Sequence, residues 1–265
     1  MPDLYLQAEI AILEPDPIKK CEFTRQLSKA WERGELTTHT RSEILPIDDP
    51  GRPRRPTLVD PRRLQRRGFS SEVGRVRLLH AFAHIEFNAI NIALDAVYRF
   101  RQMPRSFASD WLQVATEEAK HFQLLATELK QRGSYYGEFE AHRGLWDMVC
   151  KTRNNLLHRM ALVPRVMEAR GLDVTPAMIT RFAQFDDDSA VSILQTIYRD
   201  EVGHVRIGNY WYRRICSEQG LDPEATFRQL IDCHMDGKLR GPFNWAARIE
   251  AGFAAGELEA LERLG

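Results

Sequence analysis

Residues 194–215 read LQTIYRDEVGHVRIGNYWYRRI, and residues 111–129 read WLQVATEEAKHFQLLATEL. Both contain Glu-x-x-His, as Glu118 with His121 and Glu201 with His204. On a helix, three positions bring a carboxylate and an imidazole onto one face, where the two can chelate one cation. A single pair of this kind is ordinary on a solvated helix. These two are set apart by their surroundings. Trp111, Val114, Ala115, Phe122, Leu125 and Leu129 recur at helical spacing around the first, and Leu194, Ile197, Tyr198, Val205, Gly208, Trp211 and Ile215 around the second. Both pairs are expected to point into a core, and a buried carboxylate is costly unless it is paired or binds a metal.

Working outward, Glu86 lies within the stripe Leu79, Phe82, Ala83, Ile90, Ala93, Leu94 and Val97, and Glu168 follows Leu157, Ala161 and Pro164. Glu86 precedes Glu118 by 32 positions and Glu168 precedes Glu201 by 33. The chain therefore reads as two copies of a helix bearing Glu followed by a helix bearing Glu-x-x-His. Long helical periods cover roughly 72–101, 106–132, 147–170 and 189–218, separated by Pro104, Gly133, Gly171 and Pro176, with Ser71 placed to cap the first. Strand signals are missing across this region, so the expected fold class is all-α, an antiparallel four-helix bundle over 71–218. Four carboxylates and two imidazoles projecting inward is the ligand pattern of ferritin-like di-iron and di-manganese bundles. Such ligands without thiolate favour two iron ions, with manganese or a mixed manganese and iron pair as alternatives. Glu168 stands just before Gly171 and is expected on the pliable last turn of its helix.

Three further residues are candidates for the surroundings of the site. Asp200 and Glu117 each precede a ligand pair and could accept the free N–H of a ligand histidine. Tyr198, one turn before Glu201, is read as a core aromatic or a hydrogen-bonding neighbour. His80 and His84 fall off the face of Glu86 and are read as core or interface histidines.

The ends differ from the middle. Residues 1–70 are expected to form one helix, opened by Asp16-Pro17 and ending near Gly34, and then an extended arm rich in proline and arginine. Arg52, Arg54, Arg55, Arg62, Arg63, Arg66 and Arg67 crowd this arm. Pairing of these arginines with surface acids is the preferred reading, and RNA binding the alternative. Residues 219–265 should add one or two helices, broken around Gly237 to Pro242. Lys plus Arg and Asp plus Glu both number 37, so no global field favours nucleic acid or membrane. No basic leader or membrane-length apolar run is visible, and a cytoplasmic location is expected. Cys21, Cys150, Cys216 and Cys233 are scattered, which argues against a zinc knuckle or a disulfide framework.

The segments LLHAFAHIEFNAINIALDAVYRF, ATEEAKHFQLL, RMALVPRVMEARGLDVTP and RDEVGHVRIGNYW, with PGRPRRPTLVDP and RGPFNWAAR outside the bundle, resemble the ferritin-like family of domain of unknown function 455. That resemblance covers nearly the whole chain. It places the chain beside tRNA-hydroxylating di-iron monooxygenases, manganese catalases and rubrerythrins, and implies Glu86, Glu118, His121, Glu168, Glu201 and His204 as metal ligands. The function expected is an oxidoreductase that activates dioxygen or peroxide to oxidise or hydroxylate a small-molecule substrate. The alternatives are peroxide scavenging, disfavoured by the lack of a rubredoxin-like Cys-x-x-Cys, and a non-enzymatic interaction module. The sequence leaves the oligomeric state open, a dimer included.

Overall fold

The computed structural model describes residues 1–64, 68–235, 239 and 241–263. Its regular structure is helical, and among the described residues the only β pairing is two isolated bridges, Asp3 with Thr37 and Leu58 with Ala141. The chain divides into two compact units, Met1–Cys150 and Lys151–Gly265. The expected 71–218 segment straddles that division.

In the first unit, α1 (Leu4–Leu13) is opened by Asp3, whose carboxylate accepts from the N–H groups of Tyr5 and Leu6. This helix is absent from the sequence reading, because LYLQAEIAIL is apolar nearly all round and has no amphipathic period to detect. Helix α2 (Pro17–Glu32) starts at Asp16-Pro17 as expected. Lys20 reaches from it into the interior and donates to the carbonyls of Ala11 and Ile12 at the end of α1 and to Asn91 Oδ1. Helices α3 (Glu72–Arg99) and α4 (Arg105–Gln131) form a helical hairpin with extensive mutual packing, and α1 rests on α3 while α2 rests on α4. Ser71 caps α3 by accepting from the Gly74 N–H at 3.1 Å.

The arm lies along this unit. Gly51 donates to Ile12 O so closely that a Cβ there would sit 2.0 Å from Leu13 O, and residues 57–59 exchange backbone hydrogen bonds with Ala141. The expected pairing of its arginines is not found. Arg52, Arg54, Arg55, Arg62 and Arg63 are exposed, and among the described residues none makes an ion pair. The acids closest in sequence are engaged elsewhere, since Asp60 caps the turn Pro61–Arg63 and Asp49 pairs with Arg143. Arg66 and Arg67 lie outside the described residues.

The expected third helix is divided, its first piece ending with the first unit and the rest lying in the second. That helix was expected over 147–170, but α5 (Gly144–Lys151) ends early and α6 (Leu156–Leu162) restarts after Asn155, which caps it by accepting from His158 N. A π-helical segment, Val163–Glu168, then runs directly into α7 (Ala169–Ala183), through both Gly171 and Pro176. Glu168 therefore sits mid-helix rather than on a last turn. Proline removes the N–H that would bond the carbonyl four residues back, here Leu172. The side-chain amide of Asn244 donates to that carbonyl at 3.1 Å, so the helix continues. Helix α8 (Asp188–Glu218) packs against α6, the π segment and α7. Among the described residues the C-terminal part holds three helices, α9 (Pro223–Met235), α10 (Trp245–Glu250) and α11 (Ala255–Arg263), where one or two were expected. Gly237 is outside the described residues. None of the described helices is long and apolar enough to cross a membrane. All four cysteines are free thiols, and burial pushes Cys21 up to about 12.

Candidate metal centre

In the first unit, α3 presents Glu86 and α4 presents Glu118 and His121 at one point of the hairpin interior. Their ligand atoms lie within 4.8 Å of one another, and the three residues are 2%, 0% and 0% exposed. The helical spacing read from the sequence explains the arrangement. Trp111, Val114, Ala115, Phe122 and Leu125 are all buried on the face of α4 that carries the pair. His121 Nδ1 is 3.2 Å from Glu86 Oε2 and 3.3 Å from Glu118 Oε2, so one ring nitrogen serves two carboxylates.

Burial, and next the Glu118 carboxylate beside it, hold the Glu86 carboxyl well above its usual range, with only partial relief from His121. For His121, burial favours the neutral ring, but hydrogen bonds to Glu118 and Glu86 outweigh it and push the imidazole up to about 11. Two buried carboxyls thus share one imidazole, a set of oxygen and nitrogen donors that could hold a divalent cation.

A ring cluster walls this site. Phe87, next to Glu86, and Phe122, next to His121, lie 5.5 Å apart, and Tyr136 packs on both at 5.4 and 5.0 Å. The Tyr136 hydroxyl is 3.0 Å from His84 Nδ1, while His84 Nε2 is 2.9 Å from the His142 carbonyl. The carbonyl can only accept, so Nε2 carries a proton. His80 Nε2 accepts from the Gly137 N–H at 2.9 Å. Both histidines thus fill core roles, as the sequence suggested. Tyr136 went unnoticed because it sits in a loop, where no periodicity marks it; its only signal is the pair Tyr135-Tyr136 between Gly133 and Gly137.

In the second unit, Glu201 and His204 occupy the buried face of α8, 7% and 0% exposed, with Nδ1 and Oε1 3.9 Å apart. Glu168 is buried at the end of the π segment, 9% exposed. Among the described residues it belongs to no group of three ligand atoms within 4.8 Å. Asp200 accepts from its neighbour Arg199 at 3.1 Å, and Glu117 accepts from Gln113 at 3.1 Å. Tyr198 accepts at its hydroxyl from Asn244 at 3.0 Å, which makes it a hydrogen-bonding neighbour of the C-terminal segment.

The whole chain has recognisable relatives. Residues 13–259 match the family described as "Protein of unknown function (DUF455)". A protein of Haemophilus influenzae (strain Rd), described as uncharacterized, is 43% identical over 263 residues, covering 96% of this chain and 91% of that protein. No solved structure matches. With a family match spanning all but the two ends, and a relative similar along nearly its full length, the chain belongs to the DUF455 family of proteins of unknown function.

Proposed function

We propose that the chain is a ferritin-like di-metal carboxylate protein, an oxidoreductase in which Glu86, Glu118, His121, Glu168, Glu201 and His204 hold two iron or manganese ions. The observation that carries this reading is the buried group Glu86, Glu118 and His121, together with the second buried Glu-x-x-His pair on α8. The near-equal separations of Glu86 from Glu118 and of Glu168 from Glu201 support two equivalent halves of one centre.

Two such ions supply a redox-active, Lewis-acidic centre at which dioxygen or peroxide is reduced and an organic substrate oxidised. The chain's own residues have the remaining tasks. Glu86 and Glu118, packed among apolar side chains, would hold the cations and neutralise their charge. His121 and His204 would each supply one imidazole nitrogen, and the ring of His121 is held by Glu86 and Glu118. Trp111, Val114, Phe122 and Phe87 exclude water and confine the oxidant.

The test is elemental analysis after growth with iron and manganese, comparing the wild type with the Glu118→Ala, Glu201→Ala double variant. The expected result is about two ions per chain, lost in the variant, with oxygen uptake by the reduced, iron-loaded protein. Metal-free protein after anaerobic reconstitution would leave the contacts of His121 with its two carboxylates as a structural network. Bound metal without oxygen or peroxide turnover would remove the oxidoreductase part of the proposal.

A further inference from the structure

The motif GPFNWAAR at 241–248 and the segment after it have no part in the ligand set, yet they meet or supply two buried arginines of the second unit, Arg165 and Arg248. Arg165, in the π segment, is fully buried. Its Nη2 donates to Glu257 Oε1 at 2.5 Å, and its guanidinium lies 4.2, 4.1 and 4.8 Å from the ring centres of Tyr212, Phe227 and Phe253. Glu257 is completed on its other oxygen by Arg213 Nη2 at 2.6 Å and the Ala254 N–H at 2.8 Å. Arg248, from α10, makes a two-pronged bond to Asp173 at 2.8 and 2.7 Å, both side chains buried. Asn244 donates its backbone N–H to Asp173 and its amide to Leu172 O and the Tyr198 hydroxyl. The Phe253 ring lies between the two systems, 4.8 Å from the Arg165 guanidinium and 5.1 Å from that of Arg248.

These contacts bracket one residue. Arg165 is three positions before Glu168, and Leu172 and Asp173 are four and five after it. The segment is an irregular one, because a π turn is a rare single-turn interruption of an α-helix and Pro176 removes a backbone donor just beyond it. Breaking a buried pair of this kind leaves an uncompensated charge, so each arginine ties the segment to its partner.

We propose that residues 243–257 are a clamp whose role is to position Glu168, with Arg165, Asp173 and Phe253 as the positioning residues. This rests on the di-metal reading, in which Glu168 is a ligand. The clamp holds the π turn, and with it the backbone that carries Glu168, in one register. Residues that orient a ligand in this way typically set metal affinity by about 10–100-fold.

The experiment uses the full chain and two readouts, amide hydrogen exchange of residues 163–173 in metal-free protein and titration with cobalt(II), followed by its visible absorption. The variants are Glu257→Gln and Asp173→Asn, with Glu259→Gln, an exposed partner of Arg263 on α11, as the control. Phe253→Leu, which keeps an apolar side chain but removes the ring from both guanidinia, serves if either charge variant fails to fold. The expected result is native helicity, protection lowered by about tenfold or more within 163–173 only, and cobalt affinity lowered by about tenfold or more with an altered spectrum. The control should change neither. Unchanged protection overturns the clamp, and lowered protection with wild-type cobalt binding overturns its role in positioning Glu168. A wild type that takes up no cobalt overturns the di-metal reading and the proposal with it, and is recognised because the failure is in the unaltered protein.

Discussion

Two glycines of α8, five residues apart, should respond oppositely to the same substitution. A Cβ added at Gly203 meets nothing within 4 Å, whereas one at Gly208 would lie 2.3 Å from Pro164 Cβ and 2.5 Å from its Cγ. Glycine in a helix interior costs about 1 kcal/mol relative to alanine, so Gly203→Ala should stabilise the protein by about that amount. Gly208→Ala gains the same propensity but must move apart two carbons that ordinarily sit about 3.5–4 Å from each other. The obstacle is a proline ring tied to the backbone of the π segment, which cannot rotate away. Overpacking of this kind costs about 1–3 kcal/mol, and the rigid neighbour places it at the upper end, for a net loss of about 2 kcal/mol. The two variants should therefore differ by about 3 kcal/mol, or roughly 6–12 °C in Tm for a chain of this size. Urea and thermal unfolding in chelator, so that bound metal does not contribute, measure it. Equal stabilisation by both substitutions would refute the close docking of Pro164 on α8.

Other consequences follow from single contacts. Burial lowers the Lys20 amine to about 7, so between pH 7 and 10.5 the unfolded chain holds a proton that the folded one has released. Stability should then rise with pH across that window by up to about 4–5 kcal/mol and be flat with respect to this group below it. Lys20→Met should abolish that rise, as urea midpoints at pH 6.5 and 9.5 would show; an unchanged rise refutes the assignment. Ser71→Ala, which removes the α3 cap, should cost about 1 kcal/mol in chemical unfolding. Phe122→Ala should open a cavity against Phe87 and Tyr136 and cost about 3–5 kcal/mol, measured in chelator to keep metal out of the comparison.

The candidate site was legible in the first unit because α3 and α4 are uninterrupted amphipathic helices. Their period alone puts Glu86, Glu118 and His121 on inward faces, and the structure gathers their ligand atoms. Glu168 was harder to place. Gly171 and Pro176 are ordinary stop signals, and the helix passes them because Asn244, 68 positions beyond Pro176, satisfies the freed Leu172 carbonyl. No local rule reports a bond of that range. Helix α1 escaped for the opposite reason, since an all-apolar segment has no period.

By itself the sequence determined the helical class, the long helices α3, α4 and α8, and the burial of Glu86, Glu118, His121, Glu201 and His204, since each follows from spacing along one chain segment. The tertiary structure decided what happens at the interruptions: that α7 continues through Pro176, that Lys20 is drawn inside to serve the end of α1, and that Arg165 and Arg248 are buried against the C-terminal segment. In each case the deciding partner is distant in sequence or comes from another element, and an unsatisfied buried carbonyl or guanidinium becomes tolerable only when folding brings that partner within hydrogen-bond reach.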